Sequence, residues 1–138
     1  MADYTKPLPL ADPDTQPYWE GAKAHELRAQ KCSSCGKLRW PPQGFCPHCW
    51  SWEASWTKLA ETGTIVSYVV VHQATNPVFA QDIPYAIAQA MLDGTDGAVV
   101  LTANVVHCPW EEVKVGMKVR AVYDDVTPEV TLPKFRPA

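Results

Sequence analysis

The stretch KCSSCGKLRWPPQGFCPHCW, Lys31 to Trp50, carries four cysteines as two C-x-x-C pairs with ten residues between them. Zinc favours soft thiolates in a tetrahedron, and each C-x-x-C turn aims two sulfurs at one ion. Cys32 and Cys35 with Cys46 and Cys49 therefore make a closed four-thiolate site. Such a site leaves no position for water or substrate, so the expectation is one structural zinc per chain, contributing folding free energy and no Lewis-acid chemistry. Iron in a rubredoxin-like site is the electron-transfer alternative, since CPHC resembles half of one, although the interval between the pairs is short for it. His48, between two ligand positions, reads as an exposed knuckle residue.

Outward from this stretch, 138 residues fit one domain or two very small ones, and a chain this short needs a staple or a partner to complete a core. The net charge of -3 argues against a general phosphate binder. The N-terminus has neither the pattern of a signal peptide nor that of a transit peptide, and no apolar run reaches membrane-spanning length, so a soluble, cytoplasmic protein is expected. In a reducing compartment paired cysteines are metal ligands before they are disulfides, and the fifth, Cys108 in VVHCPW, reads as a buried strand-end thiol.

Met1 to Pro13 is proline-rich and aperiodic, which suggests an extended arm lying on something else or disordered alone. TQPYWEGAKAH, Thr15 to His25, predicts a short helix with Thr15 or Asp14 as N-cap and Pro17 in the first turn. After Trp56 the pattern turns to strands: Thr64–His72, Pro84–Leu92, Ala98–Val106, Met117–Tyr123 and a short last one in VTLPKF. Gly94 and its neighbours predict a hairpin between the second and third of these, whereas QATNPVFAQDI is a longer loop and a candidate working surface. The fold class is mainly β: an arm and helix over 1–30, a zinc ribbon over 31–58 and a five-stranded, partly open OB-fold barrel over 59–138. In TIVSYVVVH both alternating sets, Ile65/Val69/Val71 and Val66/Tyr68/Val70, are apolar, which predicts cover over the outer face from the same chain or another.

A ribbon beside an OB-fold invites a single-stranded nucleic-acid reading, and Arg28, Lys31, Lys37, Arg39 and Lys58 lie among Trp40, Trp50, Trp52 and Trp56. Asp82, Asp93, Asp96, Asp124 and Asp125 at loops and strand ends would repel a phosphate backbone, which disfavours that partner. The tryptophans then read as packing between ribbon and barrel, or as partner contacts. No catalytic constellation emerges, because the histidines lack a nucleophile or paired carboxylate nearby in sequence. His107 and Cys108 are adjacent on a strand and so point to opposite faces.

The ordered set DPDTQPYWEG, CSSCG with LRWPP, CPHC, ETGTIVSYVVVH, IPYAIAQAMLDG, VGMKV and LPKFRP resembles the DUF35 family over nearly the whole chain. Members join a rubredoxin-like zinc ribbon to an OB-fold. The resemblance implies an accessory subunit, without catalytic residues of its own, in a hetero-oligomer with a thiolase-fold enzyme that makes or breaks C–C bonds beside a CoA thioester. A MaoC-type enoyl-CoA hydratase is the alternative partner. It further implies that the barrel loop lies near the partner's acyl-CoA entrance. Trp40, Phe45, Phe79 and Tyr85 are the expected contacts to partner or acyl-CoA, because large aromatic side chains dominate interface energetics.

Overall fold

The computed structural model describes residues 4–138, so the first three residues of the expected arm lie outside the described part. Residues 4–13 have no regular structure, and helix α1 follows over Gln16–Lys23. Pro17 suits the first turn, where its missing N–H would have had no partner. Thr15 is the N-cap, as the sequence suggested, but its hydroxyl does not cap the helix. Instead the Thr15 amide donates to Asp12 Oδ1 (2.8 Å) and the Asp12 amide to Thr15 Oγ1 (3.0 Å), closing the turn before the helix. The helix ends where His25 enters the left-handed region at φ 57° and the Glu26 amide donates back to the Gly21 carbonyl (2.8 Å).

Two antiparallel sheets follow. The first, in order β2-β1-β3, joins β1 (Arg28–Cys32), β2 (Leu38–Arg39) and β3 (Ala54–Lys58). The second, in order β6-β5-β4-β7-β8, joins β4 (Thr62–Val71), β5 (Tyr85–Leu92), β6 (Val100–Asn104), β7 (Lys118–Asp125) and β8 (Thr131–Pro137). These are the five strands expected from the β-branched runs, with the β5–β6 hairpin in place. The sheet curls as an OB-fold does but is not closed: Val105, just past the end of β6, makes one isolated parallel bridge to Phe135 of β8. Ribbon and barrel share one core, in which Leu27 and Ala29 from β1 join Ile65, Leu92, Val119 and Phe135. Trp40 and Trp56 pack against it as expected for ribbon–barrel contacts, while Trp50 and Trp52 do not.

Strand β4 departs from simple alternation. A β-bulge between Ile65 and Ser67 moves every later side chain to the opposite face. Ile65 is fully buried, yet Val69, expected on its face, is 58% exposed, and Val66 and Tyr68 are exposed as well. Of the second apolar set Val70 packs against the chain's own core, whereas Val66 and Tyr68 have no such cover. Next to this, Gly63 sits so close to β5 that an added Cβ would lie 2.5 Å from the Met91 carbonyl oxygen, a contact only glycine allows. At the other end of the barrel, His25 stacks on Tyr123 (4.9 Å between centroids) and its Nε2 lies 3.0 Å from Asp125 Oδ1, which clasps the helix end to β7.

Candidate metal centre and partner-facing surfaces

Two turns bring the cysteines together. Strand β1 ends at Cys32, whose carbonyl accepts from the Gly36 amide (3.0 Å) and whose amide donates to the Lys37 carbonyl (2.9 Å). In the second turn the Cys46 carbonyl accepts from the Trp50 amide (2.9 Å) and the Cys46 amide donates to the Ser51 carbonyl (2.8 Å). The two knuckles thus repeat one hydrogen-bonding scheme, and Ser34 and Ser51 hydroxyls tie them at 2.9 Å. All four sulfurs lie within 4.8 Å of one another, with Cys32–Cys49 at 3.5 Å and Cys35–Cys46 at 3.7 Å. Zinc–sulfur bonds of about 2.3 Å in a tetrahedron require sulfur–sulfur edges of about 3.8 Å, so the cage has the size of the ion. None of the cysteines is in a disulfide.

Electrostatics agree with a cation in this cage. The Cys35 amide donates to Cys32 Sγ (3.4 Å), and this bond leads the influences that hold the Cys32 thiol down to about 6. Burial opposes ionisation of Cys46, but amides of His48 and Cys49 outweigh it and its thiol is also lowered. For Cys49 the Ser51 amide favours the thiolate, yet burial and the neighbouring sulfurs together push it up to about 11. Four thiolates this close repel one another, so they ionise together only around a positive ion. The donor set fits zinc, and the closed tetrahedron assigns it to holding the chain.

The expected contact residues fall into separate places. Trp40 is half-buried, its ring 4.9 Å from Tyr18. Phe45 stacks on Trp50 (5.6 Å, 8° between planes) and lies 5.8 Å from Trp52, at the tip of the ribbon. Phe79, in a 3-10 turn over Pro77–Phe79, faces Tyr85 at 6.5 Å on the barrel. Both line a cleft of about 440 Å³ together with Tyr4, Lys6, Asp82 and Lys134. Both cations there have a carboxylate: Lys6 meets Asp82 at 2.8 Å and Lys134 meets Asp124 at 2.7 Å. The bond to Asp82 holds the Lys6 ammonium above its ordinary range.

Sequence reading misplaced part of the basic cluster. Arg39 is buried, donating Nε to Gln30 Oε1 (2.9 Å) and Nη2 to the Gln43 carbonyl (3.0 Å), so it anchors the loop that carries Phe45. Arg28 pairs with Glu26 at 3.2 Å, and Lys58 lies 3.9 Å from the same carboxylate. Cys108 is only half-buried, donates to the Pro109 carbonyl (3.4 Å), and its thiol is pushed up, mainly by burial. What sequence reading missed is the exposure of Trp50 and Trp52, at 72% and 77%. The signal was present in CPHCWSW, where tryptophan occupies the place that glycine holds in CSSCG.

Residues 19–53 match the family described as ChsH2, rubredoxin-like zinc ribbon domain, and residues 56–124 the one described as ChsH2, C-terminal OB-fold domain. A probable enoyl-CoA hydratase alpha subunit of Thermomonospora curvata is 36% identical over 96% of this chain, which spans 40% of that protein's length. A DUF35 domain-containing scaffold protein of Methanocaldococcus jannaschii is 36% identical over 67% of this chain and 64% of its own. Among solved structures, a chain of an Ltp2-ChsH2(DUF35) aldolase superposes with a TM-score of 0.84 at 35% identity, over 94% of this chain and 98% of that one.

Proposed function

Since the chain belongs to the DUF35 family, with zinc ribbon and OB-fold domains of the ChsH2 type, we propose that it is a zinc-bearing accessory subunit of a thiolase-fold acyl-CoA enzyme. The observation that carries this reading is the likeness over 94% of its length to a chain of a DUF35 aldolase complex. Zinc, when bound by Cys32, Cys35, Cys46 and Cys49, supplies rigidity to the ribbon. The C–C bond chemistry belongs to the partner, and this chain serves docking, stability of the complex and access of acyl-CoA.

Phe79 and Tyr85 with their cleft form the surface offered to the partner's acyl-CoA entrance, and Phe45 and the open edge of Trp40 add contacts on the ribbon. Because Lys6 and Lys134 are each neutralised by a carboxylate, the cleft suits the less charged pantetheine or acyl portion rather than the phosphates of CoA. Membership of a MaoC-type hydratase complex is the second reading, favoured by the name of the Thermomonospora relative. Nucleic acid is disfavoured, because three of the five basic residues near the ribbon are buried or face a carboxylate.

Co-expression with a thiolase-fold subunit tests the proposal. A stable hetero-oligomer whose acyl-CoA cleavage or condensation depends on this chain, with no turnover by the chain alone, is expected. Replacing Cys108 by Ser should leave turnover unchanged; loss of turnover in an intact complex would make this chain catalytic and overturn the accessory reading.

A further inference from the structure

The two cysteine knuckles share their hydrogen bonds but differ at one position. After Cys35 comes Gly36 at φ 76°; after Cys49 comes Trp50 at φ 66°. Both lie in the left-handed region, where glycine is free of strain and a side chain is not. The first knuckle uses the unstrained residue, while the second holds one of the largest side chains there and leaves it 72% exposed. Burial does not compensate the strain. Trp52, two residues on, is 77% exposed, and Phe45 lies against both rings at 5.6 and 5.8 Å. The three aromatics thus form a pre-assembled knob on a backbone pinned by the metal turn, which removes much of the entropy cost of ordering them on contact.

The surroundings select the occupant. From Trp40 to Trp56 the chain has a single formal charge, Glu53, and the nearby cations Lys31 and Lys37 belong to β1 and the first knuckle, Lys37 lying beside His48 and Lys31 opposite Ser55. A zinc ion with four thiolates adds a net negative charge beneath the knob. The knob itself offers phosphate no cation, and a second copy would bring one thiolate-rich centre against another. Aromatic enrichment with depletion of charge is the composition of the core of a protein interface.

We propose that Phe45, Trp50 and Trp52 are the knob by which this chain seats in an apolar, cation-rimmed recess of its catalytic partner subunit. This rests on the accessory-subunit reading and adds where on the chain the partner is held.

Trp50→Gly separates the knob from the fold, because glycine relieves φ 66°. The chain carrying Trp50→Gly should keep its zinc and melt no earlier than the wild type. Its affinity for a co-expressed thiolase-fold acyl-CoA enzyme subunit from the same genome, measured by calorimetry, should fall about 30-fold, and Trp52→Ala should act similarly. Tryptophan emission of the wild type should shift to the blue, and acrylamide quenching weaken, as the complex forms. Earlier melting or zinc loss in Trp50→Gly would make Trp50 structural and overturn the proposal. Undiminished affinity in both variants would overturn it alone, whereas a wild type that ignores the subunit would overturn the accessory reading with it. Binding of a fluorescein-labelled oligothymidylate that both variants abolish would replace the protein partner by nucleic acid.

Discussion

Among the largest fully buried side chains, the barrel contributes Phe135, Ile65, Leu92, Val99 and Val119 and the segment leading into β1 contributes Leu27, whereas the metal turns contribute Cys32 and Cys46. The barrel is ordered by apolar burial, which acts without any ligand. In the ribbon the fully buried large side chains are ligand groups, and while Trp40 and Trp56 lean on the shared core, Trp50 and Trp52 stand in solvent. The barrel is held chiefly by hydrocarbon and the cysteine end of the ribbon chiefly by coordination, so perturbations far from the core they share should act on one more than on the other.

The largest effect is expected from the metal. Cys32→Ser or Cys46→Ser removes a ligand from a site of a class worth about 10–16 kcal/mol in small zinc peptides. The ribbon should lose order and partner binding together, while amides of β4, β5 and β7 keep their protection in hydrogen exchange. Elemental analysis should find about one colourless zinc per wild-type chain; a red, redox-active iron centre would break the contrast by giving the ribbon chemistry of its own. Next in size, Phe135→Ala should cost about 3–5 kcal/mol in urea unfolding, since the ring is almost wholly buried, and zinc content should stay unchanged at low denaturant.

Phe79→Ala and Tyr85→Ala should each weaken partner assembly by about 2 kcal/mol and leave the melting of the isolated chain nearly unaltered, because both rings are only half-buried. The smallest effect belongs to the clasp between helix and barrel. Hydrogen bonds from Thr131 and then His25 hold the Asp125 carboxyl below its ordinary range. A lowered folded value means the contribution is complete above the unfolded carboxylate pKa of about 3.9 and fades as pH falls through the folded one. Asp125→Asn should therefore lower the melting point slightly near neutrality, and the difference from wild type should vanish in acid.

The barrel was legible because its signals are local: β-branched runs bounded by turn residues, with Lys118 and Arg120 alternating against Val119 and Ala121. The cysteine cage was legible for a similar reason, spacing alone bringing the sulfurs within reach. The bulge after Ile65 was hidden, since an extra residue in one strand is a property of the pairing with β5 and leaves no mark on composition. Arg39 looked like surface charge because nothing local announces that Gln30 and the Gln43 carbonyl wait for its guanidinium. Trp40 and Trp56 pack on the core and Trp50 and Trp52 do not, a difference that composition hides and that only the knuckle position of Trp50, matching Gly36, hints at.

The single bridge between Val105 and Phe135 makes the barrel a sheet rolled up and tacked at one point. Beside it the Val106 amide donates to the Phe135 carbonyl at 2.7 Å, while the Val105 amide turns back to Ala86 on the neighbouring strand. Along this seam the cylinder can gape without unzipping any of its four ladders. Elastic compliance is thus concentrated on one line of the molecule, and a guest that wedges β6 from β8 would meet a latch, where anywhere else around the circumference it would meet a wall.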